Sequence, residues 1–316
     1  MSPPNPPCET RTLPYGTAAI EEAARLILAG EPVAVPTETV YGLAADATNP
    51  AAVARVYAAK RRPDFNPLIV HVRDLAAAER LGTFDRAARA AADAFWPGAL
   101  TLVVPLRAQA GLAPAVTAGL CAVALRCPAH PAMQDLLAAC GRPLAAPSAN
   151  ASGTISPTSA AHVAKTLSGR IPLIVDGGAT QRGLESTIVA FTGGPPRLLR
   201  PGPIAIEEIA PAATASAGFD RIEAPGQLPS HYAPTKPVRL SVAAAEPDEY
   251  LIGFGTIEGD ANLSPTGSLE EAAARLFDVL HRADESAKPR IAVAPIADAG
   301  IGAAINDRLR RAAAPR

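Results

Sequence analysis

From Thr17 to Gly30 apolar residues recur at helical spacing (Ala19, Ile20, Ala23, Leu26, Ile27), and Gly30 stands where a helix would stop. The run PVAVP that follows predicts a short strand, and PTETVYGL a turn. Ala51 to Lys60 predicts an Ala-rich helix with Pro50 at its start. Lys60, Arg61 and Arg62 then enter a loop before a second strand, LIVHV. Asp85 to Phe95 predicts a helix that stops at Trp96-Pro97-Gly98. LTLVVPL is a strand whose Pro105 points to an edge or a bulge. Strand AVALR (Ala122 to Arg126), helix Pro131 to Cys140, strand end PLAAP and helix Ser159 to Leu167 follow, then strands PLIVD, STIVAF and PRLLRPG. Strands and helices alternate, but some strands follow one another directly. That pattern predicts an α/β fold on a mixed, open, twisted sheet.

After Ile206 the periodicity fades. Ala210 to Thr235 is rich in Ala, Pro and Gly, and reads as a helix end and a long linker containing APGQLPSHYAPTKP. A second, small α/β unit then begins: strands VRLSVA and YLIGFG, a helix from Leu269 to His281, strand IAVAPI and a last helix from Ala303 to Ala313. The expected organisation is a disordered Pro-rich tail over 1–10, a main domain over 11–209, a linker over 210–237 and a small Rossmann-like domain over 238–316.

Composition narrows the function classes. In 316 residues, 48% are hydrophobic and 19% charged, which fits a globular chain. A net charge of −1 gives no general attraction to nucleic acid, so any polyanion site must be local. No apolar run reaches membrane-spanning length and MSPPNPPCETRTLP lacks a signal core, so a cytoplasmic location away from membranes is expected. Cys8, Cys121, Cys127 and Cys140 form no CxxC pair and no zinc spacing; they read as reduced thiols.

Hydroxyls and cations gather near predicted strand ends. Thr37, Thr39 and Tyr41 stand in the PTETVYGL turn, close in sequence to Lys60, Arg62 and Asn66. Arg binds phosphate oxygens in bidentate fashion and Lys supplies a point charge, although cations also suit a plain helix C-terminus. His71 lies in LIVHV on the face of Ile69, where packing and ligand contact are equally good explanations. Arg126 closes AVALR, placed to bind at the carboxyl edge of a sheet or to pair with a nearby acid. The segment APSANASGTISPTS is dense in small donors between a strand and a helix, as an anion nest requires. GGATQRGLESTIV reads as a lid leading to Ser186 and Thr187, and Arg200 ends another strand. Separated strand ends carrying Arg would serve a triphosphate if they converge. The chain has no Walker loop, no GxGxxG, and no evident catalytic triad or carboxylate dyad.

Through PTETVYGLAADA, KRRPDFNPLIVHV, FWPGALTLVVP, VALRCPAHP, APSANASGTISPT, GLESTIV and LLRPGPI, the chain resembles the YrdC-type threonylcarbamoyl-AMP synthase family. PGQLPSHYAP and IGAAINDRLRRAA resemble its long form, with a linker and an extra C-terminal domain. The resemblance implies a YrdC-like open sheet with a basic cavity. It also implies a nucleotidyltransferase joining L-threonine, bicarbonate and ATP, with Mg²⁺, into threonylcarbamoyl-AMP and pyrophosphate. Its product would feed the tRNA threonylcarbamoyl transferase machinery that makes N6-threonylcarbamoyladenosine, with at most a weak direct contact to tRNA. By motif, Lys60, Arg62, Asn66, Ser148, Asn150, Ser156 and Arg200 are expected to hold ATP. His231 and Tyr232 are expected to close over it. Lys60 and Arg62 are also the expected catalytic cations. Thr39, His71, Arg126, the backbone of Ala146, and Ser186 are expected to hold threonine, and no protein side chain is expected to ligate metal. GGATQRG after Asp176 and Ala190 in STIVAF depart from the usual family pattern. Two other readings compete. A carbamoyl-adenylate enzyme of the hydrogenase-maturation type would bring Cys-rich zinc modules that this chain lacks. A non-enzymatic RNA-binding module would bring an aromatic stacking platform.

Overall fold

The computed structural model describes residues 8–210, 214–215, 223–228 and 230–315. In chain order the first half comprises β1 (Arg11–Pro14), α1 (Thr17–Leu28), β2 (Val33–Pro36), β3 (Tyr41–Asp46), α2 (Pro50–Lys60), β4 (Ile69–His71), α3 (Leu75–Leu81), α4 (Arg86–Phe95), β5 (Leu100–Pro105), α5 (Pro114–Thr117), β6 (Ala122–Arg126) and α6 (Pro131–Cys140). Then come β7 (Leu144–Ala145), α7 (Ala160–Leu167), β8 (Leu173–Asp176), β9 (Thr187–Ala190), β10 (Arg197–Arg200), α8 (Ile206–Ile209) and β11 (Thr214–Ala215). The C-terminal unit holds β12 (Val238–Arg239), β13 (Glu249–Gly253), β14 (Ala261–Asn262), α9 (Leu269–Glu285), β15 (Arg290–Val293) and α10 (Ile301–Ala313).

Among the described residues, eleven strands form one mixed sheet in the order β1-β8-β2-β3-β7-β4-β6-β5-β9-β10-β11. Local chemistry starts the helices as expected. Asn49 accepts from the N–H groups of Ala51 and Ala52 with Pro50 at the first turn of α2, while Asp85 and Ser159 cap α4 and α7. Helices α1 and α6 pack on one face of β2, β3 and β8 through Ile20, Ile27, Met133, Leu136, Val33, Val35 and Val175. The opposite face meets α2 and α7 through Val53, Val56, Val163, Ala34, Leu43 and Ile174. Each strand residue is therefore assigned to a side by simple alternation.

Several expectations need correcting. Tyr41–Asp46 is not part of a turn; it is β3, antiparallel to β2, and all six residues are buried. A strand covered on both faces carries no alternation to read. Helix α3, capped by Asp74, went unpredicted. Pro105 lies on no edge: β5 runs between β6 and β9, and Pro105 ends the strand beyond Val103, the last residue paired with β9. Its missing N–H therefore breaks no ladder bond on that side. At the N-terminus residues 1–7 lie outside the described residues, but Cys8 already donates its N–H to Gly169 O and Thr10 its hydroxyl to Ile171 O.

The C-terminal unit is a four-stranded parallel sheet, β12-β15-β13-β14, with α9 and α10 packed together. Its core is continuous with residues of the main domain and linker: Val40, Ile155, Leu184 and Tyr232 join Phe277, Leu280 and Ile305 in one cluster. In the segment read as a linker, Ala224, Gly226, Gln227, His231 and Tyr232 are buried.

Candidate functional site

The side chains of β4 and β6 build the floor of a cavity. Parallel pairing sets His71 opposite Arg126 and Ile69 opposite Ala124. Val70 and Leu125, one step away, enter the main core, so Ile69, His71 and Arg126 project from the other face. That face carries the cavity. Its walls are Thr37 and Thr39 from the β2–β3 turn, Ala146 to Ser148 after β7, Glu185 and Ser186 before β9, and Arg200 at the end of β10. Arg62 and the linker residues Pro225, Gly226, His231 and Tyr232 complete it. The carboxyl-edge location expected from Arg126 is thus corrected to a sheet face roofed by the linker.

Of the residues singled out from sequence, Thr39, Arg62, His71, Arg126, Ala146, Ser148, Ser186, Arg200, His231 and Tyr232 line this one cavity. Lys60, Asn66, Asn150 and Ser156 do not reach its surface; they form its supports. Lys60 is also not loop-borne. It is the last residue of α2, Arg61 makes the left-handed turn after it (φ 51°), and the Lys60 ammonium is buried. It donates to the backbone carbonyls of Ser148 and Asn150, with Asn150 Oδ1 at 3.4 Å. Ser148 Oγ donates to Asn150 Oδ1 (2.6 Å) and Asn150 Nδ2 donates to Thr154 O (2.8 Å), so the donor-rich segment is tied into a rigid loop.

The cations are held by neutral acceptors in two cases and by an acid in the third. Arg62 donates to the carbonyls of Asn66 (3.2 Å) and Pro67 (2.9 Å). Arg200 donates to Ser186 O (3.0 Å) and Ser186 Oγ (3.2 Å). Burial lowers the pKa of both, bringing Arg62 down to about 10, which leaves it protonated at neutral pH. Arg126 instead forms a buried ion pair with Glu38 and donates to Thr39 Oγ1 (2.8 Å) and Gly98 O (3.1 Å). Burial opposes the Glu38 carboxylate, but Arg126 and the Ala129 N–H carry its pKa below the ordinary value. Arg126 thus already has a carboxylate partner, and an incoming one would share its fork. Ala146 gives its N–H to Ile69 O.

Several buried polar atoms have no partner in the protein: both side-chain atoms of Asn66, Nδ1 of His71, Nδ1 of His231 and Nε2 of Gln227. Such atoms cost free energy unless something else satisfies them. Burial keeps His71 and His231 neutral, helped by Arg126 for His71 and by Arg62 for His231. A cavity of fixed cations and neutral imidazoles can bind and orient a multiply charged anion beside a small polar molecule. Among the described residues that line it, none form a paired acid and base for proton transfer. Among the described residues no group of three or more His, Cys, Asp or Glu is arranged to hold a metal ion. No helix is long and apolar enough to cross a membrane.

Two acids were missed from sequence. Glu38 was hidden inside the TET turn and Glu185 inside GLESTIV, both beside residues that were singled out. A lone acid among apolar and hydroxyl residues was the available signal.

The family model described as "Telomere recombination" (Sua5, YciO and YrdC) matches residues 25–202. A second, described as "Threonylcarbamoyl-AMP synthase, C-terminal domain", matches 204–314. The chain is 43% identical to threonylcarbamoyl-AMP synthase of Bacillus subtilis (strain 168), over 94% of this chain and 93% of that one. It is 39% identical to the protein of the same name from Pyrococcus abyssi, over 94% of each. A crystal structure of P. abyssi Sua5 complexed with L-threonine superposes with a TM-score of 0.87, at 36% identity and 97% coverage of both chains.

Proposed function

The chain belongs to the threonylcarbamoyl-AMP synthase family in its two-domain form, and on that premise we propose that it joins L-threonine, bicarbonate and ATP into threonylcarbamoyl-AMP with release of pyrophosphate. It is then a nucleotidyltransferase working in the cytoplasm. Its product is consumed by a threonylcarbamoyl transfer to tRNA, and any direct contact with tRNA is weak. The observation that carries the reading is the convergence of Arg62, Arg126 and Arg200 with Thr39, His71 and Ser186 on one enclosed cavity, in a chain this similar to the named synthases.

In this reading Arg62 and Arg200 take the polyphosphate, and Lys60 acts from behind by holding the Ser148–Asn150 loop at a fixed position. Asn66, Ser148, Asn150, Ser156, His231 and Tyr232 complete the nucleotide site. Asn66 acts from behind the wall, where its main-chain carbonyl holds Arg62. Thr39, His71, Arg126, the Ala146 carbonyl and Ser186 take threonine, with Arg126 dividing its fork between Glu38 and the threonine carboxylate.

The threonine amine adds to CO₂ with loss of a proton, or to bicarbonate with loss of water, to form a carbamate. A carbamate oxygen attacks the α-phosphorus and pyrophosphate leaves. The amine reacts as its neutral fraction. The protein supplies position and charge, which is where phosphoryl-type transfer gains most of its rate. Enclosure by the linker protects the labile carbamate from water. Mg²⁺ would travel with ATP; Glu38 and Glu185 are each engaged with an Arg and supply no ligand set, so no step is assigned to the ion.

The test incubates purified protein with ATP, Mg²⁺, labelled bicarbonate and L-threonine, following pyrophosphate and labelled acyl-AMP. Product that requires both threonine and bicarbonate is expected. Product from carbamoyl phosphate instead, or RNA binding without turnover, would overturn the reading.

A further inference from the structure

Among the described residues lining the cavity, three are cations, Arg62, Arg126 and Arg200, and one is an acid, Glu185. An acid there is costly to the function proposed above, because it can neutralise a cation meant for phosphate. Glu185 adjoins Ser186, whose carbonyl and hydroxyl hold Arg200. Yet Glu185 has its carboxylate bonded to Arg308 and Ser156. Its Oε2 accepts from Arg308 Nε (2.9 Å), its main-chain carbonyl accepts from Arg308 Nη2 (3.4 Å), and its Oε1 accepts from Ser156 Oγ.

Arg308 lies in α10 of the C-terminal unit and is 0% exposed. Its remaining faces are filled: Nη1 donates to Asp307 (2.8 Å), and the guanidinium carbon sits 5.2 Å from the centre of the Tyr232 ring. A fully buried guanidinium at this place needs a reason, since ion pairs of this kind contribute little net stability over apolar packing.

We propose that Arg308 is a positioning residue of the site: by binding Glu185 it withdraws the cavity's acid from Arg200 and keeps the charge of Arg200 available to polyphosphate. The C-terminal unit thereby contributes to nucleotide binding without lining the cavity. The inference rests on the synthase reading. Without Arg308 the carboxylate would take Arg200 as its counter-ion.

The experiment compares wild type, Arg308→Met, and Arg308→Met with Glu185→Gln, each assayed where circular dichroism shows it folded. Arg308→Met is expected to raise the KM for ATP by about tenfold, the worth of one charge-assisted contact. The KM for threonine, a zwitterion, should stay within about twofold. Adding Glu185→Gln should return the ATP value to near wild type, because the competing acid is gone. Equal changes for both substrates, no change for ATP, or no recovery in the double variant would overturn the proposal. If Arg308→Met does not fold, Arg308→Gln carries the same comparison. A wild-type chain that makes no threonylcarbamoyl-AMP would refute the synthase reading instead, so the two failures are separable.

Discussion

Lys60→Met removes a charge and leaves the shape of the side chain nearly intact. In the native protein the ammonium is 1% exposed and holds the carbonyls of Ser148 and Asn150. A hydrogen bond to a charged group contributes about 1.5–3 kcal/mol, so losing two costs about 3–6 kcal/mol gross. Removing a buried ammonium returns several kcal/mol of desolvation, which burial already registers as a pKa well below the ordinary lysine value. The net loss should be about 1–3 kcal/mol. At ~2–4 °C per kcal/mol, Tm falls by roughly 2–12 °C and the fold survives. The effect on turnover is larger. The loop that carries Ser148 and Asn150 loses its anchor, and the nucleotide loses a nearby cation. Loss of one preorganised electrostatic group typically lowers kcat by ~10²–10³. Pyrophosphate release and calorimetric unfolding, run on the same sample, check both numbers. Turnover within about threefold of wild type would refute the role given to Lys60, and so would complete unfolding at assay temperature.

Gly226→Ala places a Cβ 2.8 Å from Arg200 Cδ and 2.9 Å from Tyr232 Oη, at a residue with φ +88°. The variant should lose about 1–2 kcal/mol to backbone strain and should raise the KM for ATP, which kinetics with an intact far-UV spectrum would show. The His162 and His281 rings stack at 3.9 Å between α7 and α9, faced by Asp278, Glu285 and Lys165. Burial, then His162, pushes His281 down to about 3. At this site the unfolded chain therefore takes up a proton below pH ~6.5 that the folded chain refuses, so His281 alone contributes a fall in stability of up to about 1.4 kcal/mol per pH unit towards pH 5, added to the contributions of the buried His71 and His231. Urea unfolding at pH 7 and pH 5 measures the total slope, and His281→Phe should make it shallower by that share. Finally, L-threonine at about 100 times its Kd should raise stability by about 2.7 kcal/mol, and a thermal shift unchanged by Ser186→Ala would count against the assigned threonine site.

Pattern alone determined much of this protein. Pro50 at the start of α2, the apolar spacing of α1 and the Trp96-Pro97-Gly98 stop after α4 are local signals, and the helices they predict are present. The motif residues around Thr39, Arg62, Arg126 and Arg200 were also readable, because their types are unusual at strand ends. Other features were decided only by long-range packing. Strand β3 hid because burial on both faces erases alternation. The place of the site on a sheet face, not an edge, depends on the register that sets His71 against Arg126. Which cation meets which acid could not be read along the chain either. Glu38 and Arg126 are 88 positions apart, and Glu185 and Arg308 are 123 apart. A buried charge takes its partner from whatever the fold brings within a few ångströms, and sequence distance carries no information about that.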